Sequence, residues 1–275
     1  ATKRVGEAVF DTGAQYFTAK SARFAALVAE WATTGVVAPW PGASAHRWMA
    51  QPSMNALGKF LAGGLEVRRE AKVLKVQRAP DGWELTIENQ PPARAERLVL
   101  TAPLPQSLAL LEAGGVELPS DLAKELAALT YHPCLALLLT LGGASAVPVE
   151  GVALTNGRVR WIADNTKKGI SPGVAGAVTV HLSPSFAAEH LLKTETELAA
   201  LVLPDIAEWL GAPVVNVALQ RWKFSEPVAS FAKGCVWLPE LGLGLAGDSL
   251  GGPRVEGAAL SGLELTDRMA VNTNA

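Results

Sequence analysis

The feature that most constrains the fold is a strand-to-helix transition near the C-terminus. An apolar run at 243–246 ends in Gly247 and Asp248, and a glycine-rich loop then leads into a helix of small residues after Pro253. A carboxylate at a strand end can accept hydrogen bonds from ligand hydroxyls, and the first N–H groups of a helix have no intrahelical acceptor. Because the helix dipole also favours electron-rich groups at that end, the pattern predicts a ligand site at this turn.

The same stretch matches the dinucleotide fingerprint G-x-G-x-x-G letter for letter, at Gly242, Gly244 and Gly247. A true fingerprint lies in the turn after a strand and is followed about 20 residues later by an acidic residue. Here the glycines alternate with leucines, so we expect them to belong to the strand, and Glu264 would lie inside the following helix. The context therefore argues against a Rossmann nucleotide site at this hexapeptide.

Residues 242–264 resemble the C-terminal flavin motif of the flavin amine-oxidase superfamily. The Gly-Asp, Arg-Val-Glu-Gly-Ala and Leu-Ser-Gly elements are most similar to the renalase-like FAD-dependent oxidoreductases. The N-terminus supports this resemblance, because residues 1–18 are similar to the segment that follows the first βαβ unit of that superfamily. Similar segments also occur at 51–57, 100–103 and 221–227. The resemblance therefore spans nearly the whole chain.

The resemblance implies an α/β (mixed α+β) protein with the FAD/NAD(P)-binding fold of the amine-oxidase type. The nucleotide-binding βαβ unit, with its glycine fingerprint, would precede residue 1, so we expect the fold to be incomplete at the N-terminus and the chain to be a piece of a longer product. The alternative is a protein that lacks half of its flavin site. The implied FAD-binding domain comprises 1–15, 54–110 and 232–275, and a sheet-plus-helix substrate domain comprises 16–53 and 111–231.

FAD is the cofactor that the resemblance implies, and ten positions match its contacts. They are Thr2, Arg4, Gln15, Tyr16, Val73, Asp248, Arg254, Val255, Gly257 and Ala258. The first two follow the phosphate-binding position, residues 15 and 16 would line the flavin, and Val73 would meet the adenine edge through its backbone. Asp248 would bind the sugar-like chain, or would merely cap the turn. Residues 254–258 would contact the isoalloxazine ring, where backbone N–H groups stabilise negative charge.

The chain has eight tryptophans and only two tyrosines. Large flat side chains are suitable walls for a planar substrate on a flavin, although most buried tryptophans belong to a core. The candidate substrate contacts are Trp161, Asn165, Lys167 and Trp222. The sequence contains no nucleophile motif and its four histidines show no ligand spacing, so it identifies no catalytic residue and predicts no metal site.

These residues predict a flavin-dependent oxidoreductase that passes a hydride from a reduced dihydronicotinamide, an NAD(P)H isomer, to FAD, with O₂ as the acceptor. An amine oxidase of the same superfamily is one alternative. A catalytically empty flavin fold that acts as a binding module is another. The expected partners are a small-molecule substrate and O₂, together with the missing N-terminal segment or a second copy of the chain.

Composition excludes several other classes. The 275 residues are 49% hydrophobic and 18% charged, and a net charge of −2 without basic clusters argues against nucleic acid as a partner. No apolar stretch is long enough to span a membrane. Cys134 and Cys235 stand far apart in apolar runs, which is typical of small buried hydrophobes in a reducing compartment. We therefore expect a cytoplasmic protein.

The pattern of apolar residues predicts alternating strands and helices. Ser21 and Ser53 are candidate helix caps, and a long helix is expected from Ser185 or Thr194 to just before Gly211. The run at 134–141 predicts a strand buried on both faces. Further strands are expected at 65–70, 71–78, 83–88, 97–101, 215–222, 234–238 and 243–246. A turn at 80–82 should join two of them, and a last helix should cover 255–269.

Overall fold

The structure is a computed structural model that describes residues 1–42, 46–155 and 157–271. Its strands are β1 (Thr2–Val5), β2 (Ala8–Asp11), β3 (Val37–Pro39), β4 (Trp48–Ala50), β5 (Val73–Ala79), β6 (Gly82–Ile87), β7 (Ala93–Ala95), β8 (Leu98–Leu100), β9 (Tyr131–Leu141), β10 (Val152–Ala153), β11 (Val159–Asp164), β12 (Gly176–Leu182), β13 (Val214–Pro227), β14 (Val236–Leu238) and β15 (Leu243–Leu245). Its α-helices are α1 (Ala22–Thr33), α2 (Asn55–Leu61), α3 (Leu104–Ala113), α4 (Ser120–Ala127), α5 (Pro184–Glu189), α6 (Glu195–Val202), α7 (Ala207–Leu210), α8 (Asp248–Gly251) and α9 (Val255–Val271). A 3₁₀ turn at Leu203–Ile206 joins α6 to α7.

The chain forms two compact units, each assembled from two stretches. Unit 1 comprises Ala1–Gly63 and His132–Ser225, and unit 2 comprises Gly64–Tyr131 and Glu226–Ala275. The units divide the chain at other positions than the FAD and substrate domains expected from the resemblance, and that functional division remains a prediction. The expected domain ranges also include residues 43–45, 156 and 272–275, which lie outside the described residues.

Unit 1 is built on a five-stranded sheet in the order β10-β11-β12-β9-β13. The inner strand β9 has Leu135, Leu137 and Leu139 in the same core cluster as side chains from α6, at 0% exposure. On its opposite face Ala136 and Leu138 pack in a second cluster with Phe10 and Ala8 of the β1–β2 hairpin. The prediction of a strand buried on both faces is therefore confirmed, and β2 is positioned directly on this sheet.

Unit 2 contains a three-stranded sheet in the order β14-β15-β8 and a meander of β5, β6 and β7. Strand β15 runs parallel to β8 and antiparallel to β14, and its leucines are buried against those of β8. The turn predicted at 80–82 joins β5 to β6, with Gly82 at φ 137. Helix α9 follows the sheet and covers 255–271, close to the predicted range. The predicted C-terminal strand and helix are confirmed.

Three predicted elements are wrong. Residues 65–70 form no strand, and no strand of the described ranges pairs with them; Leu65 and Val67 are 69% and 56% exposed. Ser53 does not cap α2, because its hydroxyl donates to Asn55 Oδ1. The long helix is wrong only in its continuity: it starts at Thr194 with a capping box and ends before Gly211, as expected, but a 3₁₀ turn that contains Pro204 interrupts it. Ser21 does cap α1, as predicted.

Within the described part of the chain, no helix combines the length and the apolar character that a bilayer crossing requires. Neither Cys134 nor Cys235 forms a disulfide within the described residues, and Cys235 is buried.

Candidate functional site

The C-terminal turn of unit 2 has the strand-to-helix geometry that the sequence predicts. Strand β15 is completely buried, and Asp248 begins α8 directly after Gly247. The Gly247 N–H donates to Ser261 Oγ at 3.0 Å, and that hydroxyl donates to Gly234 O at 2.7 Å. These bonds tie the turn to the middle of α9. Of the three fingerprint-like glycines, Gly244 lies within β15, Gly242 lies in the preceding turn, and Gly247 follows the strand.

Asp248 is oriented by a side chain from the start of β9. The hydroxyl of Tyr131 donates to Asp248 Oδ1 at 3.1 Å and accepts the N–H of Leu104 at 3.2 Å. Burial raises the pKa of Tyr131, which keeps its hydroxyl protonated as a donor. The second carboxylate oxygen of Asp248 has no hydrogen-bond donor within the described ranges. Half of the carboxylate is therefore available to a ligand hydroxyl.

The start of α9 packs so closely on the end of α8 that the contact requires glycine. A Cβ on Gly257 would overlap the carbonyl oxygen of Gly252, and a Cβ on Gly251 would overlap that of Gly257. Arg254 just before the helix is exposed and has φ 95, while Val255 is half-buried. Since the first N–H groups of a helix lack intrahelical acceptors, this bare backbone offers donors to an anionic or electron-rich ring edge.

In unit 1 the turn after β2, residues 11–15, is anchored by buried polar groups at its backbone. The Asp11 N–H donates to Asn165 Oδ1 at 3.0 Å, and the Asp11 carbonyl accepts Thr179 Oγ1 at 3.0 Å and Gln15 Nε2 at 2.5 Å. The Asn165 amide is also bonded to Ala177 O and to Thr179 Oγ1. These bonds fix the turn to strand β12 of the central sheet.

The Asp11 carboxylate is completely buried and has several donors. Its Oδ1 accepts the hydroxyl of Thr2 at 2.8 Å and the N–H of Met54 at 3.0 Å. Its Oδ2 lies 3.5 Å from the ammonium of Lys168, and both side chains are 0% exposed. Burial lowers the pKa of Lys168 to about 8, and the neighbouring Asp11 opposes that shift. The pair is a buried ion pair within unit 1.

The carbonyl of Thr12, in the same turn, has two side-chain partners. Trp222 Nε1 donates to it at 3.0 Å, and His181 Nε2 lies 3.1 Å from it. Removal from water lowers the pKa of His181 to about 4, so its ring is neutral and carries its proton on the nitrogen that faces the carbonyl. The Trp222 indole also lies beside Gly13, since a Cβ there would be 3.7 Å from its Cζ2.

Tyr16 belongs to a cluster of three aromatic rings. Its ring centroid is 5.3 Å from that of Trp40 and 5.6 Å from that of Trp161, and the two indoles are 6.0 Å apart. The guanidinium carbon of Arg47 lies 4.6 Å, 5.9 Å and 5.4 Å from these three centroids in the same order. Arg47 also donates to Glu150 O at 3.0 Å. The three rings therefore already bind one organic cation.

The structure brings several predicted residues together around the turn at 11–16. Tyr16 contacts Trp161, Trp222 contacts Thr12, and the remaining predicted residues there are Gln15, Asn165 and Thr2. The side-chain amides of Gln15 and Asn165 are engaged inside the protein at 4% and 0% exposure. The Gln15 carbonyl also accepts from Lys168 at 3.0 Å, so neither its side-chain amide nor its carbonyl is available to a ligand, and Asn165 can support a ligand only through the turn.

Other predicted residues lie elsewhere. Lys167 is exposed, and its ammonium donates to the carbonyls of Ser145 and Val147. Arg4 is exposed on β1. Val73 is the first residue of β5 in unit 2, where it pairs with Ile87. Unit 2 also holds the predicted set at 248–258.

Several groups that organise these turns were not predicted from the sequence: Asp11, Arg47, Tyr131, Lys168 and Thr179. Asp11 could have been recognised as a candidate, because it is a charged residue at the end of the apolar segment 8–11. Lys168 gave no such signal, because its neighbour is an exposed lysine in the same loop. No group of three or more potential metal ligands occurs within the described ranges.

A family model described as flavin containing amine oxidoreductase matches residues 41–270, which is most of the chain. The chain belongs to the flavin-containing amine oxidoreductase family. The family's members are FAD-dependent oxidoreductases, so FAD is the cofactor that this membership implies.

Solved structures with a similar fold agree with the family. A protein described as a protoporphyrinogen oxidase from Exiguobacterium sp. 255-15 has a TM-score of 0.62 and 17% identity, over 82% of this chain and 52% of that chain. A fatty acid isomerase from P. acnes has a TM-score of 0.58 and 15% identity, over 81% and 53%. Cyclohexylamine oxidase from Brevibacterium oxydans IH-35A has a TM-score of 0.53 and 14% identity, over 75% and 49%.

The chain thus spans about half the length of the solved structures that it matches. At this identity the likeness establishes the fold alone, and one neighbour is named for an isomerisation rather than an oxidation. The residues described here fit a flavin: the second carboxylate oxygen of Asp248 has no donor among the described residues, and the first N–H groups of α9 lack intrahelical acceptors.

Proposed function

We propose that Asp248 and the start of α9 form part of an FAD site in a flavin-dependent oxidoreductase. The observation that carries this proposal is the Asp248 carboxylate at the strand end, of which one oxygen accepts the Tyr131 hydroxyl while the other has no donor among the described residues. Its second oxygen suits a ribityl or ribose hydroxyl, and the N–H groups of the first helical residues of α9 suit the electron-rich edge of the isoalloxazine ring. The Ala258 N–H is not one of these donors, because it donates to Arg254 O at 3.2 Å. Val73 remains the proposed backbone contact of the adenine.

In unit 1 we assign the flavin-facing role to the backbone of the turn at 13–16. The hydrogen bonds from Asn165, Thr179 and Trp222 hold this turn in one conformation before any ligand arrives. Preorganised backbone dipoles cost no reorganisation when a charge develops beside them. Thr2 acts here through Asp11, whose carboxylate its hydroxyl binds. Exposed Arg4 is the proposed phosphate contact.

The chemistry that FAD would supply when bound is to accept a hydride from a reduced donor and to pass two electrons on to O₂, which with two protons gives hydrogen peroxide. The residues of this chain bind the cofactor, orient the substrate and exclude water. The donor that the renalase-like motifs favour is a dihydronicotinamide, an NAD(P)H isomer. Trp161, packed on Tyr16, and Trp222 are the proposed walls for its flat ring, and Lys167 is a proposed polar contact at an exposed edge.

An amine donor is the second candidate, and a specific observation favours it. Arg47 already places a guanidinium within 4.6–5.9 Å of the centroids of Tyr16, Trp40 and Trp161. Aromatic faces arranged in this way attract organic cations, including protonated amines. The solved structures with this fold include cyclohexylamine oxidase.

Three further assignments belong to the same proposal. The FAD-binding and substrate domains keep the ranges expected from the resemblance. The cytoplasm is the proposed location, because the two cysteines stand far apart in apolar segments of the sequence. A further polypeptide segment or a second copy of the chain is the proposed additional partner. A chain that binds no flavin would instead be a binding module with this fold.

Anaerobic reduction of the purified, FAD-supplemented protein tests the proposal. Bleaching of the visible flavin absorption by dihydronicotinamide isomers, but not by putrescine or cyclohexylamine, supports the first candidate, and the reverse result supports the second. Asp248→Ala should abolish the reduction by lowering flavin occupancy. Its control is Asp121→Ala, which removes an exposed carboxylate of the same unit that lies 3.9 Å from Lys124. If neither donor class bleaches bound flavin, the oxidoreductase proposal is wrong.

A further inference from the structure

The ammonium of Lys168 lies inside unit 1, and none of the proposed redox roles uses it. Its side chain is 0% exposed. Three oxygens accept from it: Gln15 O and Gln15 Oε1, each at 3.0 Å, and Asp11 Oδ2 at 3.5 Å. These acceptors belong to the two residues that begin and end one short turn. A single cation therefore ties both ends of the turn at 11–15 together.

The aromatic cluster also contacts this cation. Lys168 Nζ lies 4.7 Å from the ring centroid of Trp40, whose other neighbour in the cluster is Tyr16 at 5.3 Å. A buried ammonium is costly unless an anion, hydrogen-bond acceptors or an aromatic face compensate it. Here all three are present, and apart from Trp40 they come from the 11–15 turn itself. An apolar side chain would fill the same space without that cost.

We infer that Lys168 is a positioning residue, whose ammonium fixes the turn at 11–15 so that the backbone of residues 13–16 faces the flavin in one conformation. This inference rests on the proposed function, because residues 15 and 16 are proposed flavin contacts. The Gln15 side chain points inward to Lys168 and to Asp11 O, while Ala14 is exposed. Loss of the cation would remove one donor from Asp11 Oδ2, from Gln15 Oε1 and from the Gln15 carbonyl.

The charged and titratable groups around Lys168 come from several elements. Asp11 on β2, His181 on β12 and the amino group of Ala1 are electrostatically coupled to it. Asp164 at the end of β11 accepts the Ser145 hydroxyl, and the ammonium of Lys167 donates to the carbonyls of Ser145 and Val147. With a pKa of about 8 for Lys168 and about 4 for His181, mildly alkaline pH discharges the lysine and leaves the histidine neutral throughout.

The test compares Lys168→Met with Lys193→Met on the full chain. Lys193 forms an ion pair of nearly the same length, 3.6 Å to Glu197, but on the surface of the same unit. Surface pairs contribute little, so this control should behave as wild type. Because burial also lowers the pKa of the Ala1 amino group, only a transition that Lys168→Met removes is assigned to Lys168.

The first readout needs no flavin. Tryptophan fluorescence of the wild type should change with an apparent pKa of about 8, as the charge next to Trp40 is lost. Lys193→Met should retain that transition and Lys168→Met should lack it. A wild-type protein without the transition, or a Lys168→Met variant that keeps it, would contradict the placement of the ammonium. If Lys168→Met does not fold, Lys168→Arg takes its place, because a guanidinium stays charged across this range and should likewise remove the transition.

The second readout is the FAD dissociation constant. Lys168→Met should weaken binding by about tenfold or more, since hydrogen bonds from a charged group are lost, and wild-type affinity should fall as pH rises through about 8. If the wild type binds FAD and folded Lys168→Met binds it equally well, the positioning role is wrong while the proposed function stands. If the wild type does not bind FAD at all, the proposed function fails and the inference fails with it.

Discussion

The Tyr131 hydroxyl donates to Asp248 Oδ1 at 3.1 Å and thereby orients the carboxylate proposed to bind the flavin. Removing this hydroxyl leaves Asp248 in place but free to rotate. We expect Tyr131→Phe to weaken FAD binding by roughly 0.5–1.5 kcal/mol, the usual net value of one hydrogen bond. Isothermal titration with FAD measures it. Thr266→Val removes an exposed hydroxyl bond on α9 and should change nothing; equal effects of both variants would contradict the orienting role.

Glycine at position 257 is required by packing between α8 and α9. Gly257→Ala would place a Cβ against the Gly252 carbonyl. The expected loss of stability is about 1–3 kcal/mol from overpacking, measured by chemical denaturation. Gly262→Ala in the same helix has nothing within 4 Å and should stabilise by up to about 1 kcal/mol through helix propensity. Equal stability of the two variants would refute the close contact.

The indole of Trp222 matters for its N–H as well as for its surface. In Trp222→Phe, the described donor that remains for the Thr12 carbonyl is His181. The free energy of unfolding should therefore fall by about 1 kcal/mol. Trp237→Phe is the matched control, because Trp237 Nε1 is buried without a partner. Thermal unfolding of both variants checks the difference. A larger loss for Trp237→Phe would contradict the assigned hydrogen bond.

Acid should destabilise unit 1 through His181. Its pKa is lowered from 6.5 to about 4 in the folded chain. Between those values the unfolded state binds more protons, so stability should fall as pH decreases from 6.5 toward 4 and should not change above 6.5 because of this group. His181→Gln should reduce that slope, by at most about 1.4 kcal/mol per pH unit. Denaturation midpoints across this range measure it, and an unchanged slope would be inconsistent with a buried neutral imidazole.

Local pattern was enough to predict the elements that depend on local chemistry. The apolar run of β9, the hairpin of β14 and β15, and the small-residue helix α9 all agree with their sequence signals. Residues 65–70 carry a similar apolar and charged pattern but pair with no described strand, because a strand also needs a neighbour. Pattern within one segment contains no information about that neighbour.

The polar organisation of the candidate site could be predicted less well. Lys168 and Lys167 are adjacent and chemically identical, yet one is buried on Asp11 and the other is exposed. Tyr131 and Asp248 are separated by 117 positions. Such pairs depend on long-range folding. The family motif located Asp248 and residues 254–258, but nothing in those segments pointed to the groups that hold them.

FAD titration of the purified full chain, followed by visible absorption, tests the central claim most directly. The account predicts that wild type binds FAD, that Asp248→Ala loses that binding, and that Asp121→Ala retains it. Wild type that stays colourless with excess FAD, or Asp248→Ala that binds as tightly as wild type, would contradict the claim that this turn holds the flavin.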